Sequence, residues 1–206
     1  MSSNLLEQEK WDKVYTQTEP ELLPWFGHSF PAKVEDYLSA LNRSDQLLVT
    51  GCGVGDVVKG LQVKGFNNIK GTDISKVAIE RAQIRFPGLN FETIPTEELA
   101  SRGYKDVNTF DWLNLHQVKE VQKYLSSLGS ISKSICLVWI YESNEQKFAQ
   151  SYVHDGHVYY HSPEEVKKVL ISYNLNLKKE FSFSFIGNPN GKIVREHKAI
   201  CNIYER

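Results

Sequence analysis

The sequence predicts an α/β protein with a doubly wound, mostly parallel, seven-stranded sheet that ends in an antiparallel hairpin. Three observations predict it. Short apolar runs alternate with amphipathic helical segments, a glycine-rich turn follows the first of those runs, and the last two runs have no helix between them.

The elements follow in order. "FPAKVEDYLSAL" puts Val34, Tyr37, Leu38 and Leu41 on one helical face. "QLLVT" is a buried strand, and "DVVKGLQVKG" a short helix with Gly65 as its closing residue. "IKGTD" is the second strand, and "SKVAIERAQIRF" a helix with Ala78, Ala82 and Phe86 stacked. "LNFETI" and "DVNTF" are strands, and "VKEVQKYLSSL" is a helix whose Val118, Val121, Leu125 and Leu128 share a face. "SICLVWIY" is the most apolar strand and should be central. "SPEEVKKVLISY" opens with Ser162 as N-cap, Pro163 at the first helical position and Glu165 completing a capping box. Its buried stripe is Val166, Val169, Leu170 and Tyr173. "LKKEFSFSFI" and "EHKAICNIYE", joined by "GNPNGK", make the hairpin.

At 206 residues the chain has the size of one domain of about 100–200 residues, or one with an appendage. Only the polar stretch 1–10 has the composition of disorder. A net charge of −1 argues against a phosphate-dominated nucleic-acid footprint. No apolar run matches a membrane span, and the start lacks a signal-peptide layout, so no membrane partner is expected and the location expected is cytoplasmic. Cys52, Cys136 and Cys201 are widely spaced, which suggests neither a disulfide framework nor a zinc site.

The stretch "LLVTGCGVGDVV" carries the functional signal. Gly51, Gly53 and Gly55 let the backbone bend and let a ligand approach, and the next helix points its positive end into the same crevice. Asp73 ends the second strand, where a carboxylate can accept both hydroxyls of a ribose. The alternative is a plain tight turn, with Asp73 capping the helix near Ser75. The full strand–turn–helix–strand–acid unit favours an adenosine-containing ligand. A dinucleotide site wants a third glycine where this chain has Asp56, and a carboxylate there repels a pyrophosphate while tolerating a sulfonium with an amino-acid tail.

"LLVTGCGVG", "GTDIS" and "FDWLNLHQV" resemble the successive motifs of class I S-adenosylmethionine-dependent methyltransferases, which have a Rossmann-like fold. The resemblance runs from about Val34 to the end and implies S-adenosylmethionine as cofactor, S-adenosylhomocysteine as product and no metal. It implies that Gly51, Cys52, Gly53 and Gly55 hold the methionine moiety, Asp73 the ribose and Ile74 the adenine, with Asp111 and Trp112 facing the methyl group. Two positions depart from that pattern. Val49 stands where many members have an acid, and "TIPTEEL" lacks the usual third-strand acid, leaving Thr96 or Glu97 to substitute. "WDKVYTQTEPELLPWFG" resembles the thiopurine and thiol/halide branch, in which an N-terminal segment closes the pocket. That resemblance implies a lid over residues 1–30 on a methyltransferase domain over 31–206, with Trp11, Tyr15 and Trp25 as its aromatics; the alternative is that they anchor the segment to the core.

If the acceptor must lose a proton, Asp111 and His116 are the candidate bases, with plain capping and helix-start roles as alternatives. Tyr141 and Tyr152 are candidate acceptor-pocket residues, and Tyr159 and Tyr160 share a loop with Tyr152. That loop, "HDGHVYYH", holds His154, His157 and His161 without the register of a helical metal site. The sequence therefore favours methyl transfer to a small-molecule acceptor, with no nucleic acid as partner. The alternatives are a protein or RNA acceptor, or a non-catalytic S-adenosylmethionine binder.

Overall fold

The computed structural model describes residues 3–23, 30–142, 159, 161–187 and 195–206. Seven strands form one sheet: β1 (Leu47–Thr50), β2 (Ile69–Asp73), β3 (Asn90–Thr93), β4 (Val107–Trp112), β5 (Ser132–Glu142), β6 (Asn176–Gly187) and β7 (Arg195–Glu205). Their spatial order is β3-β2-β1-β4-β5-β7-β6. The first five strands run parallel, and β7 pairs antiparallel with both β5 and β6. β1 lies between β2 and β4, so chain order reverses there and a crevice opens beyond the strands' carboxyl ends.

Side chains of the central strands alternate between two buried layers, as the pleat requires. Leu47 and Val49 of β1, with Cys136 and Val138 of β5, face one layer. Against it pack α2 (Ala32–Ala40), α3 (Asp56–Val63) and α4 (Lys76–Arg85), through residues such as Val34, Leu38, Val58, Leu61 and Ile79. Leu48, Ile135, Leu137 and Trp139 face the other layer, built with α5 (Val121–Ile131) and α6 (Pro163–Ile171) through Leu125, Leu128, Val166 and Leu170. Burial of these stripes on both faces is what closes the doubly wound fold.

The expected helix ends are found where their chemistry is local. Gly65 takes φ 94° just past α3, and Ser162 Oγ accepts from Glu165 N at 3.1 Å. Two expectations are corrected. The polar start is not without structure: residues from Ser3 form α1 (Ser3–Gln17). Its anchor is tertiary, since Val14 and Tyr15 pack with Leu23, Val54 and Ala78. The helix expected from Val118 begins instead at Val121 and runs on to Ile131. Val118 is extended, its N–H closes a turn on Leu115 O at 3.0 Å, and its carbonyl accepts from His161 Nε2 at 2.8 Å. The boundary expected near residue 30 adjoins 24–29, which lie outside the described residues.

Two glycines with ordinary backbone angles give opposite predictions. A Cβ at Gly71 in β2 would stand 2.8 Å from both Cys52 Sγ and Val58 Cγ2. Gly71→Ala should destabilise by about 1–3 kcal/mol. A Cβ at Gly60 inside α3 would meet nothing within 4 Å. Gly60→Ala should stabilise by roughly 0.5–1 kcal/mol. Urea unfolding of the two variants reads both signs.

Candidate active site

β1 ends at Thr50, and the chain then turns through Gly51, Gly53 and Gly55 at φ 57°, 52° and 90°. These left-handed angles are costly for residues with a Cβ. The turn closes with Gly55 N donating to Cys52 O at 3.0 Å, and Cys52 N donates to Thr72 O at 2.9 Å. Asp73, at the end of β2, locks it. Its Oδ2 accepts from Gly53 N at 2.8 Å and its Oδ1 from Ser75 N at 2.8 Å. Asp73 therefore has the structural role that the sequence offered as the alternative. It holds the turn before α4, and each oxygen keeps a lone pair for a further donor.

A cleft of about 350 Å³ lies over this junction. Gly51, Cys52, Asp73 and Ile74 form its floor, Pro95, Thr96 and Glu97 one wall, and Trp112, Leu113 and Asn114 another. α1 is the roof, presenting Leu6, Glu7, Trp11 and Tyr15. The roof is tied to the floor. Asp12 Oδ1 accepts from Ser75 Oγ at 2.6 Å and from Val77 N at 3.1 Å, and Arg81 Nη1 donates to Thr18 O at 2.7 Å. Ser75 thus joins Asp12 to Asp73. Burial pushes Asp73 up to about 6, the hydrogen bonds from Ser75 and Gly53 oppose the rise, and the nearby Asp12 carboxylate adds to it.

Of the residues expected at the site, Tyr15, Gly51, Cys52, Asp73, Ile74, Thr96, Glu97, Trp112 and Trp11 share this cleft. Gly53 and Gly55 stand behind it, and Gly55 serves packing instead of ligand approach, since a Cβ there would come within 2.8 Å of Phe91. Asp111 and His116 are buried outside the wall. Asp111 Oδ2 accepts from Thr50 Oγ1 at 2.8 Å and from the Tyr124 hydroxyl, while Oδ1 is buried with no hydrogen-bond partner among the described residues. Burial raises Asp111 to about 6, against the pull of its Tyr124 and Thr50 donors. The His116 carbonyl accepts from Tyr159 N at 2.8 Å. Tyr141 belongs to β5 but its side chain is outside what is described, and Trp25, Tyr152, His154, His157 and Tyr160 lie outside the described residues. Among the described residues, no group of three His, Cys, Asp or Glu side chains is arranged to hold a metal ion.

Three site residues escaped the sequence reading. Tyr124 lines the cleft and reaches Asp111; it sits on the buried face of α5, three residues after Val121. Burial and the Asp111 carboxylate hold its phenol well above the usual range. Asn114 donates from Nδ2 to Thr50 O at 2.7 Å. Arg85 clamps Asp56 with two bonds of 2.8 and 2.9 Å, so the Asp56 charge at the mouth of the turn is countered. That weakens the repulsion argument drawn from Asp56 in the sequence. Cys52 is buried, and burial raises its thiol well above normal, which leaves it a neutral packing group.

No protein-family model matches the chain, and no curated protein matches it in sequence. Solved structures do match its fold. An S-adenosylmethionine-dependent methyltransferase from Anabaena variabilis superposes with a TM-score of 0.75 at 16% identity, covering 100% of this chain and 96% of that one. A protein from work on conversion of a disulfide bond into a thioacetal group during echinomycin biosynthesis gives 0.73 at 19%, covering 97% and 92%. Magnesium protoporphyrin IX methyltransferase from Synechocystis, with S-adenosylmethionine bound, gives 0.62 at 15%, covering 100% and 98%. At these identities the likeness establishes the fold: this is the Rossmann-like, seven-stranded sheet of methyltransferases with its antiparallel C-terminal hairpin.

The buried Asp111 carboxylate sets a pH test. The folded chain keeps its proton up to about pH 6, whereas the unfolded chain loses it near 3.8. Between those values the native state binds more protons, so this residue's contribution to stability falls as pH rises through the window. Asp111→Asn should remove a fall on the order of 2–3 kcal/mol. The readout is the difference in urea midpoint between variant and parent from pH 4 to pH 7.

Proposed function

We propose that the protein is an S-adenosylmethionine-dependent methyltransferase acting on a small-molecule acceptor. The observation that carries this reading is the Asp73 carboxylate. It is buried at the floor of the cleft, and its two oxygens are spaced for the two hydroxyls of a ribose while one backbone N–H steadies each of them. Ile74 offers an apolar face for adenine, with Thr96 and Glu97 beside it to meet polar edge atoms. Gly51 and Cys52 leave a surface for the amino-acid tail. Acidic lining residues such as Glu7, Glu97 and Glu120 outnumber Lys119 and Lys123, a balance that favours a cationic ligand.

When bound, S-adenosylmethionine supplies a methyl group already activated by its sulfonium. The chain's own residues then have two tasks. Trp112 and Leu113 confine the approach of the acceptor, and Trp11 and Tyr15 roof the cleft against water. Alignment at attack distance is worth about 7–11 kcal/mol in favourable cases. Asp111 and His116 stand behind the wall, which favours an acceptor that arrives without a proton to lose, such as a thiolate. This agrees with the sequence likeness to the thiopurine and thiol/halide branch. Two of the similar structures also belong to small-molecule chemistry, on magnesium protoporphyrin IX and in echinomycin biosynthesis.

Calorimetry should find S-adenosylhomocysteine bound in the micromolar range and NAD not bound. Hydroxyl donors favour the ionised carboxylate, so affinity should fall as pH drops through about 6, the value for Asp73. Asp73→Asn should bind at least about tenfold more weakly at pH 7 and lose that pH dependence. Binding of NAD alone, or a pH profile unchanged in Asp73→Asn, contradicts the reading. With labelled methyl donor, transfer should appear on thiols before phenols and amines; label confined to RNA or protein overturns the small-molecule acceptor.

A further inference from the structure

We infer that Asn114 recognises the α-ammonium of the cofactor's amino-acid tail, its Oδ1 accepting a hydrogen bond from that group. The inference rests on the cofactor reading above and adds the residue that selects the tail. Its first support is the position of the amide. A Cβ built on Gly51 would stand 2.3 Å from Asn114 Oδ1 and 2.6 Å from Nδ2, so the amide lies directly over the glycine where the tail rests. Nδ2 is committed to Thr50 O at 2.7 Å. A carbonyl can only be met by the amide's donor, which fixes the flip and leaves Oδ1, on a residue that lines the cleft, as an acceptor that no donor among the described residues meets.

The second support is the backbone that delivers it. Leu113 holds φ 60°, a left-handed angle that a bulky side chain adopts at a cost. Its N–H donates to Val138 O at 2.8 Å, which pins the reversal against β5. The reversal turns Asn114 back over the end of β1 when the chain would otherwise run outward. β1 itself presents no polar side chain to the ammonium: Val49 is 1% exposed and packs into the core, and Thr50 is fully buried behind the cleft with its hydroxyl turned to Asp111. An ammonium at Gly51 needs an acceptor to offset its lost hydration, and Asn114 Oδ1 provides one.

The test is calorimetry with two ligands, S-adenosylhomocysteine and its analogue in which hydrogen replaces the α-amino group. Asn114→Ala should weaken S-adenosylhomocysteine roughly 10- to 100-fold, as expected for losing a hydrogen bond to a charged group. It should leave the deaminated analogue within about twofold of the parent. Asn114→Leu, which retains bulk over Gly51, should show the same selective loss. Equal weakening of both ligands in both variants, or no weakening, overturns this inference and leaves the cofactor reading standing. Failure of the unsubstituted protein to bind S-adenosylhomocysteine overturns both.

Discussion

Two backbone N–H groups from different loops converge on the carboxylate of Asp73, and the architecture of the cleft depends on that convergence. Gly53 belongs to the turn after β1, and Ser75 to the entry of α4 after β2. The parallel ladder sets the two loops side by side, with Thr50 opposite Thr72 and Cys52 N donating to Thr72 O. The carboxylate ties the loops together beyond that last ladder bond, at a desolvation cost visible in its elevated proton affinity. The same Ser75 donates its hydroxyl to Asp12, so the roof helix is referenced to the same point. Floor, α4 and α1 share one anchor.

Around that anchor, carboxylates are mostly committed to structure. Asp56 is forked by Arg85, Asp12 caps the start of α4, and Asp111 is held by Thr50 and Tyr124. Such pairing is what makes buried or half-buried charge tolerable near an apolar cleft. It also separates two kinds of acid that look alike in a sequence: those that stiffen the walls and those that meet a ligand. Asp73 lies at the floor of the cleft with each oxygen accepting from a backbone N–H, and it is the acid for which a ligand role is proposed.

The sheet was legible because its signals are local. Alternating runs, the glycines at left-handed angles, and the Ser162 cap each report their conformation within a few residues. Asp73 was legible for the same reason, as an acid closing a strand beside a glycine turn. Pairings across the chain left no such trace. Arg85 meets Asp56 from the far end of α4, and Tyr124 meets Asp111 only because α5 lies over β4. α1 was hidden because its helix depends on Asp12 and the Val14–Tyr15 patch finding partners on α4, not on an amphipathic pattern of its own. Val118 misled because its apolar character fits the helical face, while its carbonyl is claimed by His161. Asp111 lies near the end of β4 and His116 just beyond it, yet pleat and packing aimed them inward.

The central claim is that Asp73 holds a ribose while Gly51 carries an amino-acid tail. A crystal structure of the protein with S-adenosylhomocysteine tests it most directly. The account predicts both ribose hydroxyls within hydrogen-bonding distance of the Asp73 carboxylate, adenine against Ile74, and the tail between Gly51 and Asn114 under the α1 roof. Ligand density elsewhere on the molecule, or a ribose in the cleft turned away from Asp73, would contradict it.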